Sequence, residues 1–128
     1  MALRQVLVID DDPLICTVIA AQLKGLGVEA VTVSSGDADT VRLLKQDGPY
    51  DLIISDLAMP GFDGLQLTRI IAASQPAAAV LYISSAGEKL LTAVKTLAVG
   101  QGLRVLGSLE KPISRDALRR LLEKFSRP

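Results

Sequence analysis

Five times along this chain a short run rich in Val, Leu, Ile and Ala gives way to a longer amphipathic segment. The runs are residues 5–9, 28–33, 52–54, 78–83 and, more weakly, 104–109. Strands that are apolar throughout must be covered on both faces, which in practice means a parallel sheet between helices. The segments between the runs repeat apolar residues at helical spacing, as Leu14, Ile15, Val18, Ile19 and Leu23 do in the first. The pattern predicts a doubly wound (βα)5 fold with a five-stranded parallel sheet, in one domain spanning residues 1–128. Right-handed crossovers then bring the C-terminal end of every strand to the same edge.

Local signals set the expected boundaries. Pro13 opens the first helix, which runs to about Lys24 and is ended by Gly25 and Gly27. Ser34 or Ser35 is expected to cap the second helix, which stops at Asp47-Gly48-Pro49. Residues 57–64, with Pro60, Gly61 and Gly64, read as a loop before a helix over 65–74, and a fourth helix is expected over 88–99. Ser114 caps the last helix, with Ile113 and Leu118 spaced for a hydrophobic staple.

Composition removes several function classes. There is no histidine, which excludes Ser/His/Asp and Cys/His catalysis and histidine metal sites. A single cysteine, Cys16, makes no internal disulfide, and a reducing, cytoplasmic setting is expected. Fourteen basic residues balance fourteen acidic ones, so attraction to nucleic acid or anionic membrane is not expected. The longest apolar stretches are about six residues, against roughly 20 for a membrane span. The signs are unevenly placed: residues 1–63 hold ten acidic and four basic residues, and residues 101–128 hold seven basic and three acidic.

The polar residues that end the strands carry the chemistry, because ligands of such sheets bind beyond the strand carboxyl ends. The first strand ends in Asp10-Asp11-Asp12, the third at Asp56 and the fourth at Ser84, and Lys111 follows the fifth. Singly these have plain readings: an aspartate before Pro13 caps a helix, Ser84 is a turn residue, and Lys111-Pro112 is a loop. Together they form an oxygen-only cluster suited to a hard cation, Mg2+ above all. A carboxylate beside such an ion and an ammonium is prepared to attack a phosphoryl group, giving an aspartyl phosphate.

With these motifs the chain resembles the receiver domain of bacterial two-component response regulators over about residues 4–125. The resemblance rests on Val6-Leu7-Val8-Ile9-Asp10-Asp11-Asp12-Pro13, on residues 51–64 (DLIISDLAMPGFDG), on Ile83-Ser84-Ser85-Ala86 and on Lys111-Pro112. It implies a flavodoxin-like sheet of strand order 2-1-3-4-5. It implies Asp56 as phospho-acceptor, Asp11 and Asp56 as direct Mg2+ ligands and Asp10 acting mainly through a metal-bound water. The backbone carbonyl of Ala58 would be a further ligand, Ser84 the switch hydroxyl, and Lys111 the lysine whose bond to Pro112 is commonly cis. The implied partners are a histidine kinase or phosphotransfer protein and a downstream effector domain or protein.

Three features depart from the family pattern. Ser108 stands three residues before Lys111, where many receivers carry an aromatic ring that swings inward on activation. Alanines occupy positions two past Asp56 and two past Ser84 (Ala58, Ala86), leaving the phosphoryl lifetime to solvent access. The glycine-punctuated segment 102–112 is similar to receivers placed ahead of EAL-type cyclic-di-GMP phosphodiesterase domains. On that likeness the chain is the N-terminal piece of a longer regulator; a stand-alone receiver is the other reading, and the ending Ser126-Arg127-Pro128 suits either. Arg115, Arg119 and Arg120 are either solvated surface or contacts to a second copy in a homodimer. Two further functions stay open: a degenerate receiver acting as a phosphorylation-independent interaction module, and a Mg2+-dependent phosphatase with an aspartyl nucleophile. The latter needs a substrate-closing cap for which 128 residues leave no room.

Overall fold

The computed structural model describes residues 3–59, 62–85 and 87–125. In chain order the elements are β1 (Gln5–Ile9), α1 (Pro13–Gly25), β2 (Ala30–Ser34), α2 (Ala38–Gln46), β3 (Leu52–Asp56), β4 (Ala58–Met59), β5 (Phe62–Asp63), α3 (Gly64–Ser74), β6 (Ala79–Ser84), α4 (Leu90–Gly100), β7 (Arg104–Glu110) and α5 (Arg115–Phe125). Five strands form one parallel sheet in the order β2-β1-β3-β6-β7, the expected 2-1-3-4-5 when only these strands are counted. The span expected as a loop contains a small antiparallel ribbon, β4 paired with β5.

The central strands β1, β3 and β6 are buried almost throughout, and their alternate residues supply two cores. On one face Val6, Val8, Leu52, Ile54, Leu81 and Ile83 pack against Ile19 and Leu23 of α1 and Leu118 and Leu122 of α5. On the other, Leu7, Ile9, Ile53, Val80 and Tyr82 meet Leu43 and Leu44 of α2, Leu67 and Ile71 of α3, and Val94 and Ala98 of α4. A strand with both faces buried explains why these runs show no polar alternation.

Most boundaries fall within two residues of expectation, and the exceptions have identifiable causes. Asp37, not Ser34 or Ser35, caps α2, its carboxylate accepting from the Asp39 N–H at 2.9 Å. Ser34 instead ends β2, buried, with its hydroxyl against that of Thr40. The α4 helix starts at Leu90, with no side-chain cap from Lys89, and the Glu88 carboxylate accepts from the Leu90 N–H at 3.1 Å. The last helix begins as anticipated: Ser114 Oγ accepts from the Ala117 N–H at 3.2 Å, and Ile113 packs on the cluster holding Leu118. Arg119 and Arg120 pair along their own helix with Asp116, and Arg119 also with Glu123, while Arg115 reaches the Gly25 carbonyl oxygen at 3.5 Å. Exposed pairs of this kind contribute little stability.

The weak fifth strand is weak because it is bulged. Val80 is level with Val105 but Leu81 with Gly107, leaving Leu106 as an extra residue on β7. Leu106 and Leu109, three apart, therefore reach the same core. Gly107 has φ +146, and a Cβ there would lie 3.0 Å from Leu121 of α5. A Gly107→Ala substitution is expected to cost about 1–2 kcal/mol through backbone strain and overpacking, read as a lower denaturant midpoint at unchanged slope.

Candidate functional site

Parallel register assembles the site. Ile9 is level with Ser55, so the next residues, Asp10 and Asp56, emerge side by side from β1 and β3. Asp56 is level with Ile83 on β6, and Ser84 with Glu110 on β7, which puts Ser84 and Lys111 at the same edge. The Lys111 N–H donates to the Ser84 carbonyl at 2.9 Å, and the Lys111-Pro112 bond is cis.

At this edge Asp10, Asp56 and Ser84 are 1%, 4% and 2% exposed, while Asp11 is exposed. Lys111 Nζ lies 3.2 Å from Asp10 Oδ2 and 3.4 Å from Asp56 Oδ2. One backbone donor orients each buried carboxylate: Asp12 N–H to Asp10 Oδ1 and Leu57 N–H to Asp56 Oδ1, both at 2.9 Å. Asp12 itself caps α1, accepting from the Leu14 N–H at 2.9 Å, so of the three adjacent aspartates one takes the helix-cap role. Burial raises the pKa of Asp10, and burial together with the charge of Asp10 raises that of Asp56. Burial works against the Lys111 charge, but the two carboxylates beside it hold its pKa above the ordinary lysine value.

Two buried carboxylates thus share one ammonium, a deficit of positive charge. Asp10 Oδ2 is buried and faces the Lys111 ammonium at 3.2 Å. One oxygen each from Asp10, Asp11 and Asp56 falls within 4.8 Å of the others. An oxygen-only donor set with a net negative charge fits a hard divalent cation that keeps several waters. The backbone of Ala58 lies in β4, two residues beyond Asp56. Ala86, Pro60, Gly61 and residues 126–128 lie outside the described residues.

A family model for the response regulator receiver domain matches residues 6–123. The chain belongs to that family. Receiver domains of two-component response regulators are signalling switches, and this receiver has their fold and their acidic edge. It is 35% identical over 119 residues to the transcriptional regulatory protein ZraR of Escherichia coli, covering 93% of this chain and 25% of that protein. The chain thus spans about a quarter of the length of the first such relatives. A response regulator structure from Colwellia psychrerythraea matches with TM-score 0.80 at 28% identity, over 99% of this chain and all of that one. The receiver domain of a sensor histidine kinase from Pseudomonas aeruginosa, whose structure has a magnesium ion coordinated in the active site cleft, matches with TM-score 0.75 at 28% identity, over 97% of this chain and 98% of that one.

Two contributors escaped sequence reasoning. The Leu57 N–H is a backbone donor that no side-chain pattern marks. Cys16, buried on α1, donates its thiol to the Asp10 carbonyl at 3.3 Å. The Asp10–Asp12 bond was findable, since an aspartate two residues before an N–H commonly forms such a turn.

The raised pKa values fix a pH dependence. In this site the folded chain holds protons on Asp10 and Asp56 that the unfolded chain has released, so metal-free stability falls as pH rises through the interval above the ordinary carboxylate range. Asp56→Asn is expected to flatten that slope and stabilise the metal-free protein at neutral pH by about 1 kcal/mol. Lys111→Ala is expected to destabilise it by roughly 2 kcal/mol or more, because both buried carboxylates lose their counter-charge. Denaturant titrations from pH 5 to 8 in chelator measure both.

Proposed function

We propose that this receiver accepts a phosphoryl group on Asp56 from a histidine kinase or phosphotransfer protein, and that the resulting aspartyl phosphate changes its contacts with an effector. The observation that carries this reading is the pair of buried carboxylates at adjacent strand ends sharing a single lysine. A carboxylate oxygen of Asp56 attacks the phosphorus, the bond to the donor nitrogen breaks, and the donor leaves with a proton. The Lys111 ammonium, 3.4 Å from Asp56 Oδ2, stays to neutralise charge on the transferred oxygens. Leu57 N–H holds the other carboxylate oxygen and so limits the rotation of the nucleophile.

Asp11 and Asp56 are proposed as direct Mg2+ ligands, with the Ala58 carbonyl, and Asp10 as a ligand acting mainly through water. When bound, Mg2+ supplies the positive charge that this edge lacks, offsetting charge on the phosphoryl oxygens. Ser84 is proposed to close on the phosphoryl group, its buried position at the end of β6 being next to the lysine strand. A cytoplasmic setting and a single receiver domain over the chain belong to the same proposal. An effector of the EAL type is supported only by the segment 102–112, whose glycines hold the β7 bulge and positive-φ turns.

Intact mass after incubation with acetyl phosphate and Mg2+ tests the reading. One phosphoryl group is expected on the wild type, and none on Asp56→Asn or in chelator. A folded wild type that binds Mg2+ yet gains no mass overturns it, and so does a gain that Asp56→Asn retains.

A further inference from the structure

Ser84 has a neighbour on its own strand that is better placed than β7 to pass on its movement. Residues 80, 82 and 84 of β6 project to one face of the sheet. That face holds Tyr82, fully buried, among Leu67 and Ile71 of α3 and Val94 and Ala98 of α4. Its hydroxyl meets the Thr68 hydroxyl on α3 at 2.7 Å, and Thr68 is likewise fully buried. The two hydroxyls share one hydrogen bond where water does not reach, so separating them leaves an orphaned donor and an orphaned acceptor. Across the sheet, Tyr82 is level with Ser108. The β7 position thus holds a small hydroxyl, and the ring stands on β6, two residues from Ser84.

The start of α3, one turn before Thr68, is tied to the acceptor. A Cβ on Gly64, its first residue, would lie 3.0 Å from both Leu57 and Val94, so α3 starts in close contact with the residue after Asp56 and with α4. Leu57 N–H is shared between the Asp56 carboxylate and the Ile83 carbonyl, at 2.9 and 3.2 Å. One helix is therefore held near the acceptor by packing and at the switch strand by a buried hydrogen bond. Closely packed elements of this kind shift between discrete arrangements and do not deform continuously.

Resting on the phosphoryl-acceptor reading, we propose that Tyr82 passes the movement of Ser84 to helix α3 through its hydrogen bond with Thr68, making the α3–α4 side the face that reports phosphorylation. The ring rides on the strand whose end moves, and the bond either draws α3 with it or breaks. In both cases α3 senses the state of Asp56.

Amide hydrogen exchange of the chain, with and without beryllium fluoride and Mg2+ as the phosphoryl mimic, tests this. In wild type, exchange within residues 64–74 is expected to change by about threefold or more, the range one net hydrogen bond allows. Tyr82→Phe and Thr68→Val should still bind the mimic but lose that change, and Thr68→Ser, which keeps the hydroxyl, should retain it. A wild-type response confined to α4, β7 and α5 overturns the proposal without any variant, and so does an equal α3 response in Tyr82→Phe. Failure of the wild type to take up either the mimic or a phosphoryl group overturns the acceptor reading and this proposal with it. Uptake without an α3 response overturns this proposal alone.

Discussion

Lys111 between Asp10 and Asp56 is the interaction on which the rest of the site depends. Two carboxylates held at the ends of adjacent strands, away from water, repel each other, and one ammonium at 3.2 and 3.4 Å offsets only part of that repulsion. The imbalance makes the edge attractive to a cation, and on the proposed reading the lysine and cation together would meet the phosphoryl group on Asp56. A fully compensated cluster would be more stable and less useful.

The sheet makes this affordable by anchoring each participant on a buried element. Asp10, Asp56 and Ser84 end strands that are covered on both faces, so their backbones are held by ladder hydrogen bonds and two cores. Lys111 is tied by its own N–H to the Ser84 carbonyl, which links the lysine strand to the end of β6. The exposed member, Asp11, needs no such support, because a solvated carboxylate has no desolvation penalty to offset. Around this rigid edge the helices differ in how they are attached. The α5 helix packs its Leu121 against Gly107 at the bulge, whereas α3 is joined to β6 by a buried polar contact. A buried hydroxyl pair holds its partners at one distance until it breaks.

The relatives show how such a unit is used. The chain spans about a quarter of ZraR and similar regulators, so in those proteins a receiver of this size is one part of a longer chain. The physical requirement on any effector is the same whatever its chemistry: it must bind one of the receiver's two states better than the other. Arg119 and Arg120 of α5 are engaged along their own helix by Asp116 and Glu123.

The alternation of buried strands with amphipathic helices was legible in the sequence, because the periodicity of apolar residues reflects which faces are covered. So was the meeting of Asp10, Asp11, Asp56, Ser84 and Lys111 at one edge, since parallel topology sends every strand end there. Pro13 and Ser114 marked helix starts because their effects are local. The α2 cap was misplaced for a related reason: Ser34, Ser35 and Asp37 all have capping chemistry, and only the extent of β2 decides which one stands at the helix start. Tertiary structure alone decided the bulge at Leu106, the division of β7 between two cores, the shared lysine and the Tyr82–Thr68 bond. Each of these depends on register and distance between segments remote in the chain, and no local pattern of residues encodes a distance.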